Sequence, residues 1–317
     1  MRRATLSTLG LAAAAAAVMF AAPALLSPFW ISVLIGAVTT VMLALGVGVL
    51  YGRVGLVSLS QVALFAIGMW VTMRVGFATT LPYPVLILIS GLVTLGIGLA
   101  IGLPALRLSG IYLALVTLFA AQTVSIVLGN LQFPNGGGGF TGVATSISES
   151  KLARRPSFAL ADVAYLRFAV VVAALLFVLV WIHVRGKPGR AWASIRQSEA
   201  SAESAGINIT VYKLWAFALA SFIAGVAGSV SAGHLGSANP TTYNSVSNIL
   251  LFAVVVIAGA ASLWGAVIAG ALKDVLPQFF DKTLHISERW SYILFGVGVL
   301  ISLVVSSRAA RKRGASL

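Results

Sequence analysis

The chain has 317 residues, of which 59% are apolar and 9% charged, and it contains no cysteine. Soluble domains run at about 45–50% apolar and about 25% charged, so an all-α polytopic membrane protein is expected and disulfide or thiol chemistry is excluded. The formal charge of +14 reads as the basic bias of membrane-protein loops and not as nucleic-acid affinity, since no basic stripe interleaved with aromatics accompanies it.

A bilayer core about 30 Å thick takes about 20 apolar residues per helix. Ten stretches approach that length: 8–26, 30–50, 55–75, 82–105, 109–130, 164–184, 213–233, 246–260, 263–281 and 289–307. Together they make residues 1–317 a single transmembrane domain. The first resembles a signal peptide, with Arg2-Arg3, an alanine-rich run and Ala21-Ala-Pro-Ala24; it is expected to be retained, and orientation downstream is the same either way. The eighth and ninth are separated by the small-residue break Gly259-Ala-Ala-Ser-Leu-Trp-Gly265. With that break both termini are expected in the cytoplasm. Thirteen basic residues then lie inside and eight outside, with two of the seven acids inside, which is the sign of the positive-inside rule.

Two connections are long. Residues 131–163 form an expected external loop with Asn135-Gly-Gly-Gly-Gly139, then Lys151, Arg154 and Arg155. The glycines are read as flexible, and without a following helix and lysine they make no phosphate cradle. Residues 185–213 form the expected cytoplasmic segment. Pro188-Gly189 breaks the preceding span, and 191–205 reads as one helix. Trp192 and Ile195, three apart, share a face with Ala202 and Ala205. Arg196, Glu199 and Glu203 lie toward the other face, and Gly206 is a natural stop for a helix ending in a left-handed turn. Periodicity alone leaves two roles open: a helix lying on lipid headgroups, or a contact for a soluble motor.

Glycine spacings at Gly98–Gly102 and in Ala224-Gly-Val-Ala-Gly228 suit close helix packing in lipid. No Gly-x-x-x-x-Gly-Lys-Ser/Thr is present, so ATP is not bound through a P-loop. The spans are read as free of ionisable groups at mid-depth, with Lys273 assigned to the outer side. That reading argues against proton coupling, and less against sodium, which backbone carbonyls can hold. His183, His234 and His285 lie far apart without metal-ligand spacing, and no nucleophile–base pair is seen. No catalytic, metal or cofactor-binding residue is expected. Ser58, Ser60 and Gln61, bracketed by Gly55 and Gly68, with Thr117 and Gln122, are the candidates for a translocation path, because polar groups in a span must be paired or wet. Helix–helix hydrogen bonding is the alternative role for each, and for Ser125.

Four stretches carry a resemblance. They are Gly55-Leu-Val-Ser-Leu-Ser-Gln61 with Gly68; Leu106-Arg-Leu-Ser-Gly-Ile-Tyr-Leu-Ala-Leu-Val-Thr-Leu118; Gly189-Arg-Ala-Trp-Ala-Ser-Ile-Arg196 through Gly206-Ile-Asn208 to Lys213 and Ala224–Gly228; and Ile257-Ala-Gly-Ala-Ala-Ser-Leu-Trp-Gly-Ala-Val-Ile-Ala-Gly270. In this order they resemble the membrane subunits of ABC importers for branched-chain amino acids, of the LivM type. The resemblance implies a permease in the bacterial inner membrane with two ATPase subunits, a sister permease, an extracytoplasmic binding protein and membrane lipids as partners. It also implies that the 191–206 helix couples to an ATPase. Trp192 and Ile195 are expected to insert into a groove there, with Arg196 and Glu199 on the rim, Glu203 on the same face and Gly206 setting the geometry. The chain departs from the family pattern at Asn135–Gly139 and at Gly259-Ala260, where a Gly-Gly pair is expected, and related permeases serve urea, short amides and other amino acids. The rival classes are a stand-alone carrier of a small neutral solute and a non-transporting scaffold.

Overall fold

The computed structural model describes residues 10–108, 110–151 and 153–283; the expected span at 289–307 and the basic tail lie outside them. In chain order the described helices are α1 (Gly10–Leu25), α2 (Pro28–Val54), α3 (Gln61–Ala78), α4 (Tyr83–Ala105), α5 (Ile111–Leu131) and α6 (Asp162–Arg185). Two short helices follow, α7 (Lys187–Gln197) and α8 (Glu199–Ser204). The central α9 (Ile209–Leu235) and the short α10 (Ser245–Ala258) come next. α11 (Leu263–Gly270) continues through a π turn, Ala271–Val275, into α12 (Leu276–Thr283). No strand occurs among the described residues.

Six helices, α2 to α6 and α9, are long and apolar enough to cross a membrane. The protein is therefore an all-α polytopic membrane protein. The expected third span is shorter than 55–75, because residues 55–60 are not helical and α3 begins at Gln61. The break between the eighth and ninth stretches is present: α10 ends at the left-handed Gly259, and the Ser262 side chain accepts the Trp264 N–H to start α11. Side-chain acceptors from Asn208 and Asn244 likewise cap α9 and α10, satisfying amides that a helix start leaves open.

α9 is the hub. Buried residues make up 78% of its most apolar window, against 28% for α5. It packs on α2, α3 and α4, and small residues make the approach possible. A β-carbon on Gly68 of α3 would stand 2.5 Å from the Gly225 carbonyl oxygen of α9. The Ser90 hydroxyl of α4 donates to the carbonyls of both Gly68, at 2.7 Å, and Gly225, at 3.0 Å, so one side chain ties three helices together. Burying apolar area gives no drive in lipid, and close backbone contact with interhelical hydrogen bonds replaces it.

One expectation fails. Lys273 is not at an outer end: its Nζ reaches Thr40 Oγ1, midway along α2, at 3.4 Å, and Asp274 Oδ1 at 3.2 Å. Adjacent residues on a regular α-helix do not face each other, but here both lie in the π turn. The wider turn brings the two charges together, and mutual pairing reduces the penalty of low dielectric.

Two outcomes are expected in thermal unfolding of the purified protein. Gly68→Ala costs about 1–3 kcal/mol by overpacking, whereas Gly36→Ala, where a β-carbon meets nothing within 4 Å, is neutral or stabilising. Lys273→Met alone lowers Tm more than Lys273→Met with Asp274→Asn, since only the single change leaves an uncompensated charge.

Candidate functional site

The break between α2 and α3 gathers the polar residues. α2 closes in a π-helical turn at Gly55, whose φ of 88° is left-handed. From there residues 56–60 run without helix to Gln61, so their amides need partners from elsewhere. Thr117 Oγ1 of α5 accepts the Leu59 N–H at 3.0 Å while donating to the Ala114 carbonyl. Asn248 Oδ1 of α10 accepts the Val62 N–H at 2.8 Å, and its amide nitrogen donates to the Asn244 carbonyl. Ser58 and Ser60 hydroxyls lie 3.1 Å apart. All four side chains are buried.

The structure thus brings Ser58, Ser60 and Thr117 to one helix break, whose next amide is held by Asn248, which the sequence reading did not single out. Its signal was an amide side chain inside the apolar stretch 246–260. Gln61 is adjacent but turns the other way. Its Oε1 lies 3.3 Å from where a β-carbon on Gly46 would stand, beside Ala220 of α9, and neither of its amide atoms has a partner among the described residues. Gln122 is apart from the node. It is exposed, midway along α5, and its Oε1 accepts a hydrogen bond from Ser245 Oγ at 2.7 Å.

At the end of the bundle where α2 and α6 finish, α7 and α8 replace the single expected helix. The true break after α6 is Gly186, and Pro188 serves as a first-turn residue of α7, where its missing N–H is no loss. A second break at the extended Ser198 separates α7 from α8. Trp192 and Ile195 are buried within the chain itself. The Trp192 indole N–H donates to the Tyr212 carbonyl at 2.8 Å, and its ring stacks on His183. Insertion of these two side chains into a partner's groove is thereby corrected: they fasten α7 to the bundle. Ala202 is buried with them, whereas Ala205 is exposed.

Gly206 does end α8 as expected. With φ at 78°, its N–H reaches the Glu203 carbonyl and the Ile207 N–H reaches that of Ala202, the paired bonds of a left-handed helix stop. Glu199 forms a 2.8 Å ion pair with the buried Lys213 of α9. Both acids of α8 and Lys213 line an open cavity of about 460 Å³ with Gly206, Asn208 and Thr210. Arg196 is exposed, and its side chain lies against the Gly55 turn.

The opposite end is fastened by polar contacts. Arg155 pairs with Asp162 at 2.6 Å, donates to the Gly233 carbonyl and sits over the Tyr165 ring. Arg74 donates to the carbonyls of Gly139 and Phe140. The glycine run is a defined turn organised by Asn135, whose side chain bonds both Ala144 and Ser150. Between α9 and α10, burial pushes the Tyr243 phenol up to about 12. Among the described residues no group of three or more His, Asp or Glu side chains lies together.

Apolar helices interrupted by non-helical breaks that collect polar side chains, with a docked helix pair at one end, form an arrangement that membrane transporters also use. Over residues 29–303 the chain matches the family described as the branched-chain amino acid transport system permease component, and it belongs to that family. It is 28% identical over 289 residues to the high-affinity branched-chain amino acid transport system permease protein LivM of Salmonella typhimurium, and equally to that of Escherichia coli. Each alignment covers 84% of this chain and 65% of the relative, so the chain spans just under two thirds of those proteins' length. The ribose import permease protein RbsC of Haemophilus influenzae is 28% identical over 137 residues, 42% of each chain. No solved structure matches. The four motif stretches thus identify the family correctly, and it is a family of transport components, not enzymes.

Thr117→Val leaves the part-buried Leu59 amide without its acceptor, and Asn248→Ala leaves the buried Val62 amide without its own. Each is expected to cost about 1–3 kcal/mol in thermal unfolding. Thr123→Val, whose exposed hydroxyl bonds only within α5, serves as the control and leaves Tm unchanged.

Proposed function

We propose that the chain is the membrane-spanning subunit of an ABC importer that carries amino acids, branched-chain ones foremost, into a bacterial cell across the cytoplasmic membrane. Two separate ATPase subunits drive it, an extracytoplasmic binding protein delivers the cargo, and a sister permease completes the path. In this reading ten spans place both termini in the cytoplasm, with α7 and α8 on the cytoplasmic side and residues 131–163 outside.

The observation that carries the reading is the Gln122–Ser245 pair. It lies on a face where Phe119, Thr123 and Ile126 are also exposed. Hydrocarbon offers an exposed amide no hydrogen bonds, so this face of α5 and α10 is covered by the sister permease with a wet path between. Ser58, Ser60 and Thr117 stand behind that wall and Gln61 beyond them, and they reach the path when α5 and α10 shift. α7 and α8 take the ATPase contact. Trp192 and Ile195 anchor it from within, Arg196, Glu199 and Glu203 face the motor, and Gly206 fixes the end of α8. The identity of the LivM relatives as branched-chain amino acid permeases supports the cargo class.

One feature favours a second reading. Carriers place ionisable pairs at mid-depth, and Lys273–Asp274 is such a pair. Energy source separates the two. Reconstituted with ATPases, sister permease and binding protein, the complex is expected to take up labelled leucine only with ATP and binding protein, with competition by isoleucine and valine and none by urea or acetamide. Gradient-driven uptake by this chain alone makes it a carrier instead. In the cysteine-free background, Gln122→Cys is expected to react with a small aqueous thiol reagent, and Ser58→Cys and Gln61→Cys to react in one nucleotide state only. Silence of all three in every state places the path elsewhere.

A further inference from the structure

α1 is fastened to the bundle at both ends. Gly10 lies against the Trp264 ring. At the other end the Arg167 Nε–H donates to the Met19 carbonyl at 3.2 Å, with the guanidinium 5.9 Å from the Phe20 ring. Between them α1 carries an unbroken alanine run, Ala12–Ala17, too small to fill the space behind it. A groove of about 450 Å³ opens there between α1 and α2, α6 and α11, and every side chain on its wall is Ala, Val, Leu, Phe or Trp. Water needs polar partners and is not held in such a space, whereas apolar cavities of about 150 Å³ already take up small hydrocarbons.

Length and charge identify the hydrocarbon. Along α6 the wall runs as one stripe from Val170 through Phe177 to Trp181, about 16 Å at the rise of an α-helix. That is half of a hydrocarbon core about 30 Å thick, the depth of one leaflet and so the length of one lipid chain. Trp181 closes the stripe and carries the Arg185 guanidinium 4.3 Å from its ring centre, so the apolar wall leads directly to a cation. Arg185, Lys187 and Arg190 are all exposed at this end, and none forms an ion pair among the described residues. No acid occurs between Asp162 and Glu199. A zwitterionic head group would bring its own ammonium to this cluster, and an anionic one brings only the charge that the cluster lacks.

We propose that this groove binds one anionic phospholipid of the membrane, with an acyl chain between α1 and α6 and the head-group phosphate on Arg185, Lys187 and Arg190 standing around it. A chain leaving the bilayer for the groove gains nothing from the hydrophobic effect. Retention therefore comes from the fit of the wall and from the charge-assisted bonds of the guanidinium to phosphate, which makes the site selective for head-group charge. The lipid supplies the packing that the alanines of α1 leave out. Leu263 and Val267 of α11 line the same groove, so it also braces the helix that starts at the Ser262 break. The site depends neither on the cargo nor on the motor.

The test titrates the full chain in neutral detergent with phosphatidylglycerol or phosphatidylcholine, reading bound lipid by native mass spectrometry and Tm by thermal unfolding. One phosphatidylglycerol per chain is expected to bind and to raise Tm, with phosphatidylcholine weaker by about fivefold or more. Arg185→Gln is expected to lower phosphatidylglycerol affinity by about fivefold and to leave phosphatidylcholine unchanged, while Arg185→Lys keeps most of the affinity. Ala174→Phe, at an exposed position on the groove wall, fills the space and is expected to reduce binding of both lipids. Leu92→Phe, on the exposed face of α4, reduces neither and separates the effect from misfolding. Binding of neither lipid, equal binding of the two, or unchanged binding in Ala174→Phe refutes the site. A photo-crosslinker replacing Ala174 that captures residues 289–307 of the same chain instead of lipid shows that the chain fills its own groove, and likewise overturns the proposal. None of these readouts involves uptake or ATP, so the transport reading stands whichever way they fall.

Discussion

Every backbone amide released by a broken helix inside a membrane must find an acceptor in the protein, because hydrocarbon supplies none. The non-helical run at residues 55–60 releases such amides, and the acceptors come from two other helices: Thr117 of α5 and Asn248 of α10. This requirement fixes where α5 and α10 sit relative to α3. It also makes the start of α3 conditional on them. When α5 or α10 moves, the Leu59 and Val62 amides lose their partners or carry the α3 terminus along.

α9 gives that node something rigid to work against. Ser90 joins α3, α4 and α9 through the carbonyls of Gly68 and Gly225, and the glycines let the backbones touch. The foot of α9 is also where the short helices are attached, through Trp192 to the Tyr212 carbonyl and Glu199 to Lys213. Displacement of α7 and α8 therefore has two routes into the bundle, one into α9 and one through Arg196 into the Gly55 turn. The chain of contacts is continuous, and in a close-packed interior such elements shift as units.

Much of this was legible in the sequence because lipid imposes simple rules. Apolar length located the long spans, Gly206 announced a helix stop, and Gly259 to Gly265 announced a break. The failures have physical causes. Trp192 and Ile195 share a face, but periodicity cannot say whether that face meets the chain's own helices or another protein. The Ser58–Gln61 patch was legible as polar but not as extended, since Leu and Val on either side fit a helix equally well. Lys273 was placed outside because a π turn, which gives it Asp274 and Thr40 as partners, leaves no mark in composition. Asn248 was overlooked because a single amide within an apolar stretch has no pattern to reveal it.

The two breaks share a local sequence, Gly55-Leu-Val-Ser58-Leu59 and Gly259-Ala-Ala-Ser262-Leu263. Each follows a helix closed by a left-handed glycine, at φ 88° and 92°. They also meet: a β-carbon on Gly52 would collide with the Ala260 backbone. Their capping differs, however. Ser262 accepts the Trp264 N–H and so starts α11 from its own turn. Ser58 instead pairs with Ser60, and the amides beyond are capped by Thr117 and Asn248 from other helices. A break that caps itself keeps its shape when its neighbours move, whereas one capped by its neighbours changes with them. The second turn is therefore the fixed support and the first the responsive element, which sets the polar residues at the mobile one of the pair.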